Sequence, residues 1–317
     1  MLGLKKTACA LLVSLGVLLA WCSEGLPHGV LIIQSRDVGP FREAIEGLSA
    51  VLESEGVHIH LCTDGPCASG QREALVDSID ATGVSVLVTV GTVVTEQILR
   101  SELGLPVVFC MVLDPVGRGF VQDLEHPGGW ATGVALDIPI DAQFQALKET
   151  VPDAHRVGVL FSTPRNQELV QEARGVAEKL GLTLVPAEIT SEEAVPRVLR
   201  NLTSEIDALW GIADPIAFSN VSTEHLILHT IRNRIPFMGL SASFVKAGAL
   251  LALSCDYRDI GRQAGETVLK ILQGQNPREV PVSFPRTTAL HLSLRTARLI
   301  GTDIPTSVIE KACEVRE

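Results

Sequence analysis

The chain has 317 residues, 46% of them hydrophobic and 4% aromatic, with a formal net charge of −11. That length suits about two domains, and the apolar fraction is enough to give each a largely aliphatic core of the α/β kind. The negative balance, with no basic run after Lys5 and Lys6, argues against a nucleic-acid partner, because holding a phosphate backbone needs clustered Lys and Arg.

Lys5 and Lys6 precede an apolar stretch over 7–20. A positive start followed by a short apolar core is the pattern of a secretory signal peptide, and the stretch is shorter than an ordinary spanning helix. Residues 1–25 are therefore expected to be an export segment, with the mature chain beginning between Cys22 and Leu26. Two cleavage readings stand. Leu19-Ala20-Trp21-Cys22 resembles a lipobox, which would leave Cys22 lipidated and the protein anchored to a membrane. Small residues at Ala20, Cys22, Ser23 and Gly25 also permit ordinary cleavage. Retention as an uncleaved anchor is the third option. Export implies a place in the periplasm or on the outer face of the cytoplasmic membrane. In that compartment Cys62 and Cys67, which flank Thr63-Asp64-Gly65-Pro66, are a candidate disulfide, with two unpaired thiols as the alternative. Cys110 and Cys255 sit in apolar runs as small core residues, and no paired CxxC spacing suggests zinc.

From residue 28 onward, short apolar runs at 30–33, 57–61, 84–90 and 107–112 alternate with amphipathic segments at 41–54, 71–81 and 93–103. Apolar strands spaced by helical patterns indicate βαβ units and a parallel sheet. A Pro/Gly-rich connector follows at 126–133, and then the pattern restarts. Helices are predicted over 141–150, 168–180, 192–202 and 221–233, and strands over 157–161, 182–189, 208–212 and 236–240. Two successive four-strand sets imply two similar lobes. The tail adds a strand at 249–254, a helix at 260–272, a turn at 274–277 and a strand at 288–294. These extra elements fit a chain that crosses back to the first lobe and then returns. Crossings near 132–137, 254–257 and 280–284 would form one hinge. The expected lobes are residues 28–132 with 257–280, and 133–256 with 281–317.

Three ordered stretches carry a resemblance. PVVFCMVLDPVGRGFV at 106–121 is followed by HPGGWATGV at 126–134. GALLALSCDYRDIGRQAGETVLKILQGQNPREVPV spans 248–282, and LSLRTARLIGTDIPTSVIEKACEV spans 292–315. Together they resemble the solute-binding proteins of ABC transporters, in the family that includes tryptophan- and tyrosine-binding members. The chain departs from the family pattern at His126, where Arg is usual, and at Trp130-Ala131, where Asn-Val is usual. The resemblance implies a type I periplasmic-binding-protein fold: α/β, two Rossmann-like lobes with parallel sheets, and a three-segment hinge. It also implies capture of a small ligand in the cleft, with ABC permease subunits as partners, no catalysis and no cofactor. An aromatic amino acid or related carboxylate is the expected ligand class.

In open parallel sheets, ligands sit beyond the carboxyl ends of the strands. Ser35, Arg36 and Asp37 follow the first strand. Gly91 and Thr92 open a helix whose N–H groups suit an anion; the alternative is a plain turn and N-cap. Asp114 would receive an ammonium or cap the turn at Pro115. In the second lobe Thr163, Arg165 and Asn166 follow the first strand, and Arg165 is either a carboxylate clamp or a surface cation. Asp214 repeats the Asp-Pro theme. Ser241 and Ser243 end another strand. Asp256 and Tyr257 lie at a crossing, where Tyr257 would stack on a flat ligand or pack the hinge. His225 and His229 share a helix face at a spacing of four but lack a third metal ligand. The competing classes are an α/β enzyme and a sensor that presents ligand to a membrane receptor. For the enzyme, the chain offers no G-x-S-x-G, P-loop or G-x-G-x-x-G motif; the sensor would share the fold and differ only in partner.

Overall fold

A computed structural model of the chain describes residues 29–62, 72–164 and 166–317. The expected export segment with Cys22, the Cys67 arm of the candidate disulfide, and Arg165 lie outside the described residues.

The first half runs β1 (Gly29–Gln34), α1 (Gly39–Ser54), β2 (His58–Cys62), α2 (Arg72–Thr82), β3 (Val84–Val90), α3 (Thr92–Arg100) and β4 (Val107–Val112). Every residue of β1 and β4 is buried. A strand covered on both faces by helices must be apolar on both faces, so it reads as a run and not as an alternation. A fifth strand, β5 (Ala131–Ala135), completes a parallel sheet of order β2-β1-β3-β4-β5. The sequence predicts only a connector there, because Ala131-Thr132-Gly133 carries no bulky apolar signal. Its place demands that smallness: a Cβ on Gly133 would stand 2.0 Å from the carbonyl oxygen of Phe109. β5 also carries the first sheet to Ala135, past the expected lobe boundary at 132.

The second half runs α4 (Ile140–Thr150), β6 (Arg156–Phe161), α5 (Gln167–Lys179), β7 (Thr183–Glu188), α6 (Val195–Thr203), β8 (Ala208–Trp210), α7 (Asn220–Arg232), β9 (Phe237–Gly239), α8 (Ala242–Ala247) and β10 (Leu251–Cys255). After α9 (Tyr257–Leu272) come β11 (Thr288–Ser293), α10 (Leu294–Ile300), α11 (Thr306–Lys311) and β12 (Glu314–Arg316). The second sheet has the order β12-β11-β10-β9-β8-β6-β7. Strands β6 to β10 are parallel, but β11 pairs antiparallel with β10, and β12 follows β11. The departure from a wholly parallel sheet is topological. The chain returns beside the carboxyl end of β10, Thr288 opposite Cys255, so β11 can only run backwards. Each sheet is sandwiched between two apolar clusters: Val30, Leu48 and Ile260 against Leu31, Leu75 and Phe109 in the first, Phe144 and Leu251 against Leu199 and Phe237 in the second.

The chain passes between the sheets three times, after β5, after β10 and before β11, close to the expected segments. The crossings touch one another. Ala135 N donates to Ser283 O (2.8 Å), Ser283 N to Gly133 O (3.0 Å), Asp256 N to Thr287 O (3.4 Å), and the Cys255 thiol to Leu136 O (3.7 Å).

Helix α9 follows the second sheet in sequence but packs on α1 of the first. It is capped by Asp256, whose carboxylate accepts from Asp259 N at 3.0 Å. The two helices meet backbone to backbone. A Cβ on Gly261 would lie 1.8 Å from Ala44 O, one on Gly47 2.0 Å from Arg258 O, and one on Gly265 2.9 Å from Val51 Cβ. Gly261 and Gly265, four residues apart, share one helical face. A methyl group added at such a contact must push the helices apart. Gly261→Ala should therefore cost about 3 kcal/mol, seen as a lower urea midpoint. Gly175→Ala, in the open middle of α5, should instead add about 0.5–1 kcal/mol through helix propensity. An unchanged midpoint for Gly261→Ala would show that α1 and α9 part at little cost.

Candidate functional site

The carboxyl ends of β1, β3, β4 and β5 lie along one edge of the first sheet, and those of β6 to β10 along one edge of the second. The crossings leave β5 and β10 from these edges, so both edges meet at the hinge. Ligand-reading loops on this fold belong there.

At the first edge, β1 leads into Gln34 and Ser35. Ser35 N donates to Val90 O at 3.2 Å, which draws the loop against the end of β3. Gly91, at φ 101°, is the N-cap of α3, and a Cβ there would meet Ser35 Oγ at 2.6 Å and the Phe41 ring at 2.7 Å. Glycine is required both for the φ and for the approach. Ser35, Gly91 and Thr92 are thus brought together beside Phe41. Arg36 and Asp37 are exposed, and Asp37 accepts from Arg42 at 3.1 Å. Asp114 has φ 52°, a conformation that Asp tolerates. Its Oδ1 accepts from Gly117 N at 2.9 Å, and a Cβ on Gly117 would stand 2.2 Å from its other oxygen. The Asp-Pro-Val-Gly turn is built this way: a capping carboxylate folded over a residue that has no side chain.

At the second edge Asp214 is the centre. It is 2% exposed. Oδ2 accepts from Ser162 N (2.6 Å), Ser162 Oγ (2.7 Å) and Asn166 Nδ2 (2.7 Å), while Oδ1 accepts from Ile216 N and Ala217 N (both 2.9 Å). Burial alone would raise its pKa; the hydrogen bonds from Ala217, Ser162 and Asn166 outweigh that and hold it below the ordinary value. Asp214 and Asn166 therefore fix the loop after β6 to the loop after β8. Thr163 donates to Glu188 at the end of β7. Ser241 and Ser243 share a hydrogen bond of 2.7 Å at the start of α8. Asp256 caps α9, and half-buried Tyr257 packs into the first-lobe cluster with Cys255 and Ile260.

Two residues absent from the sequence-based candidates stand out. Gln34 is 4% exposed, and its Oε1 has no partner. Asp137, on the first crossing, accepts the main-chain N–H of Asp114 at 2.9 Å. Its pKa is raised to about 6, first by burial and further by the charge of Asp114, against the Asp114 N–H and Arg118. A lone charged residue inside an expected crossing was the available signal for Asp137. Gln34 gives none, since only packing shows that it is buried. Exposed apolar side chains stand among the polar ones at these edges. Val38, Leu61, Val93 and Val116 are exposed around the first edge, and Val221 is 73% exposed at the second.

Removing the carboxylate of Asp214 leaves five donors without their acceptor. Asp214→Ala should cost about 3 kcal/mol or more, read by urea unfolding. Because its folded pKa lies below the unfolded one, the stability that it contributes is present above the ordinary carboxylate value of about 3.9 and is lost as pH falls through the folded pKa. The gap between wild type and Asp214→Asn should shrink over that window. A gap that stays constant down to acid unfolding would contradict this.

The model of the family described as ABC transporter substrate binding protein matches residues 30–316. A tyrosine-binding protein of Clostridioides difficile (strain R20291) is 28% identical over 181 residues, covering 56% of this chain and 52% of that protein, about half its length. A ligand-free, open structure of a substrate-binding protein with adhesive properties from Clostridium difficile superposes with a TM-score of 0.76 at 22% identity, covering 91% of this chain and 99% of the other. An ABC domain in complex with L-Trp from Streptococcus pneumonia gives 0.65 at 24% identity, covering 92% and 100%. The solved structures share the fold, and the family match spans nearly the whole described chain: it belongs to the ABC transporter substrate-binding proteins.

Proposed function

We propose that this chain is the extracytoplasmic solute-binding subunit of an ABC importer, which takes an aromatic amino acid or a related carboxylate between its lobes and delivers it to permease subunits in the cytoplasmic membrane. The observation that carries this reading is the meeting of two carboxyl edges at one three-stranded hinge, with exposed valines and the unpartnered Gln34 acceptor along them. Exposed apolar side chains at a rim favour a ligand with an apolar body. The N–H groups at the start of α3, beside Gly91 and Thr92, suit its carboxylate. The tyrosine-binding relative and the L-Trp complex support the aromatic class. The lobes change over at 136–139, at 256 and at 284–287, and ligand held by both favours closure by its differential affinity. Residues 1–25 direct export, which ends either in ordinary cleavage between Cys22 and Leu26 or in a lipidated Cys22.

L-tryptophan or L-tyrosine at about a hundred times its Kd should add about 2.7 kcal/mol of stability in a thermal-shift series. The same ligand should shrink the radius of gyration in small-angle scattering. No shift across the amino acids and aromatic carboxylates would remove this ligand class, and a shift without compaction would remove closure. Radiolabelled palmitate that enters the exported protein and is lost in Cys22→Ala selects the lipidated form; no labelling of the wild type selects ordinary cleavage.

A further inference from the structure

The aspartates below the surface differ in how their charge is met. Asp214 has five donors. Asp259 faces Arg286 Nη2 at 2.9 Å and Arg262 Nε at 3.2 Å. Asp207 faces Arg156 Nη2 at 2.7 Å and two main-chain N–H groups. Asp137 has one main-chain donor, Asp114 N, and among the described residues no cation within ion-pair distance. The groups that face it are Asp114 and Arg118 on the turn after β4, and the buried Cys255 thiol at the end of β10. Arg118 points its Nε at Leu113 O, 2.9 Å away, and Asp114 repels.

A half-buried carboxylate without a cation is costly, and such a charge persists where a partner arrives from outside. Asp137 sits on the segment that joins the lobes, at the edge where ligand is expected. Gln34 is an independent sign at the same edge: a buried acceptor without a donor. A ligand carrying only a carboxylate would meet repulsion at Asp137 and leave its charge unmet.

We propose that Asp137 is the receptor for the ammonium group of the ligand, so that the protein selects α-amino acids over carboxylates of the same shape. This rests on the solute-binding reading above. Asn at this position keeps an acceptor for Asp114 N and removes only the charge. A hydrogen-bonded charge of this kind is worth roughly 10- to 100-fold in affinity.

Calorimetry should compare L-tryptophan and L-tyrosine with 3-indolepropionate and 3-(4-hydroxyphenyl)propionate, on wild type and Asp137→Asn. Wild type should prefer the amines, and Asp137→Asn should lose roughly 10- to 100-fold for the amines alone. Since Asp137 must be ionised to hold an ammonium, wild-type affinity for the amines should fall as pH drops through about 6, and the variant should be flat. The wild-type series needs no variant. A merely structural role predicts the opposite order of apo stabilities. The raised pKa means that the ionised group opposes folding as pH climbs from the ordinary carboxylate range through about 6. Ligand-free Asp137→Asn should therefore melt higher than wild type at pH 7, and a lower melting temperature counts against the proposal. Equal amine affinity in both proteins, or a flat wild-type pH series, overturns the assignment alone. Wild type binding none of the four compounds overturns the amino-acid reading and this assignment with it.

Discussion

The contact between α1 and α9 is what the two-lobed arrangement depends on. At Gly47 and Gly261 the helices approach until backbone meets backbone, and at Gly265 the Val51 side chain fills the space, closer than any pair with side chains at those positions permits. This contact draws the chain back to the first lobe after the second sheet has been laid down, and so forces a second crossing and then a third. Arg286 secures the return by pairing with Asp259 at 2.9 Å and Glu266 at 3.0 Å, both on α9. Without a helix that can lie this close to α1, one face of the first sheet would lose much of its cover, since Ile260, Ala264 and Val268 fill the cluster over Val30 and Ile32.

The crossings inherit two properties from this arrangement. They are joined side by side by a few hydrogen bonds. They also leave from the carboxyl edges, beside the loops that follow the strands. Each lobe keeps its own pair of apolar clusters, which makes each close-packed in its own right.

Charge is handled differently in the loops and at the crossings. Asp214 spends every lone pair within its own lobe, and Asp114 folds over Gly117; both shape loops. Asp137 is joined to Asp114 through a main-chain hydrogen bond and otherwise stands without compensation. The same residue type therefore serves as scaffold in one place and stands largely uncompensated in another, and burial with the local count of donors makes the difference.

Several features were legible in the sequence. Short runs rich in β-branched residues such as 84–90 and 107–112 read as strands covered on both faces, and the surplus elements after 249 imply a return to the first lobe. The Asp-Pro-Val-Gly turn follows from local geometry that the motif spells out, whereas the need for glycine in α9 comes from its contact with α1. β5 was not legible, because its register against β4 rests on the absence of side chains at Gly133. The reversed direction of β11 was not legible either, since periodicity carries no direction. The roles of the aspartates were decided by tertiary structure alone. Asp114, Asp214 and Asp137 look alike in a sequence, and only the folded chain sets how many donors each meets and how much water each loses.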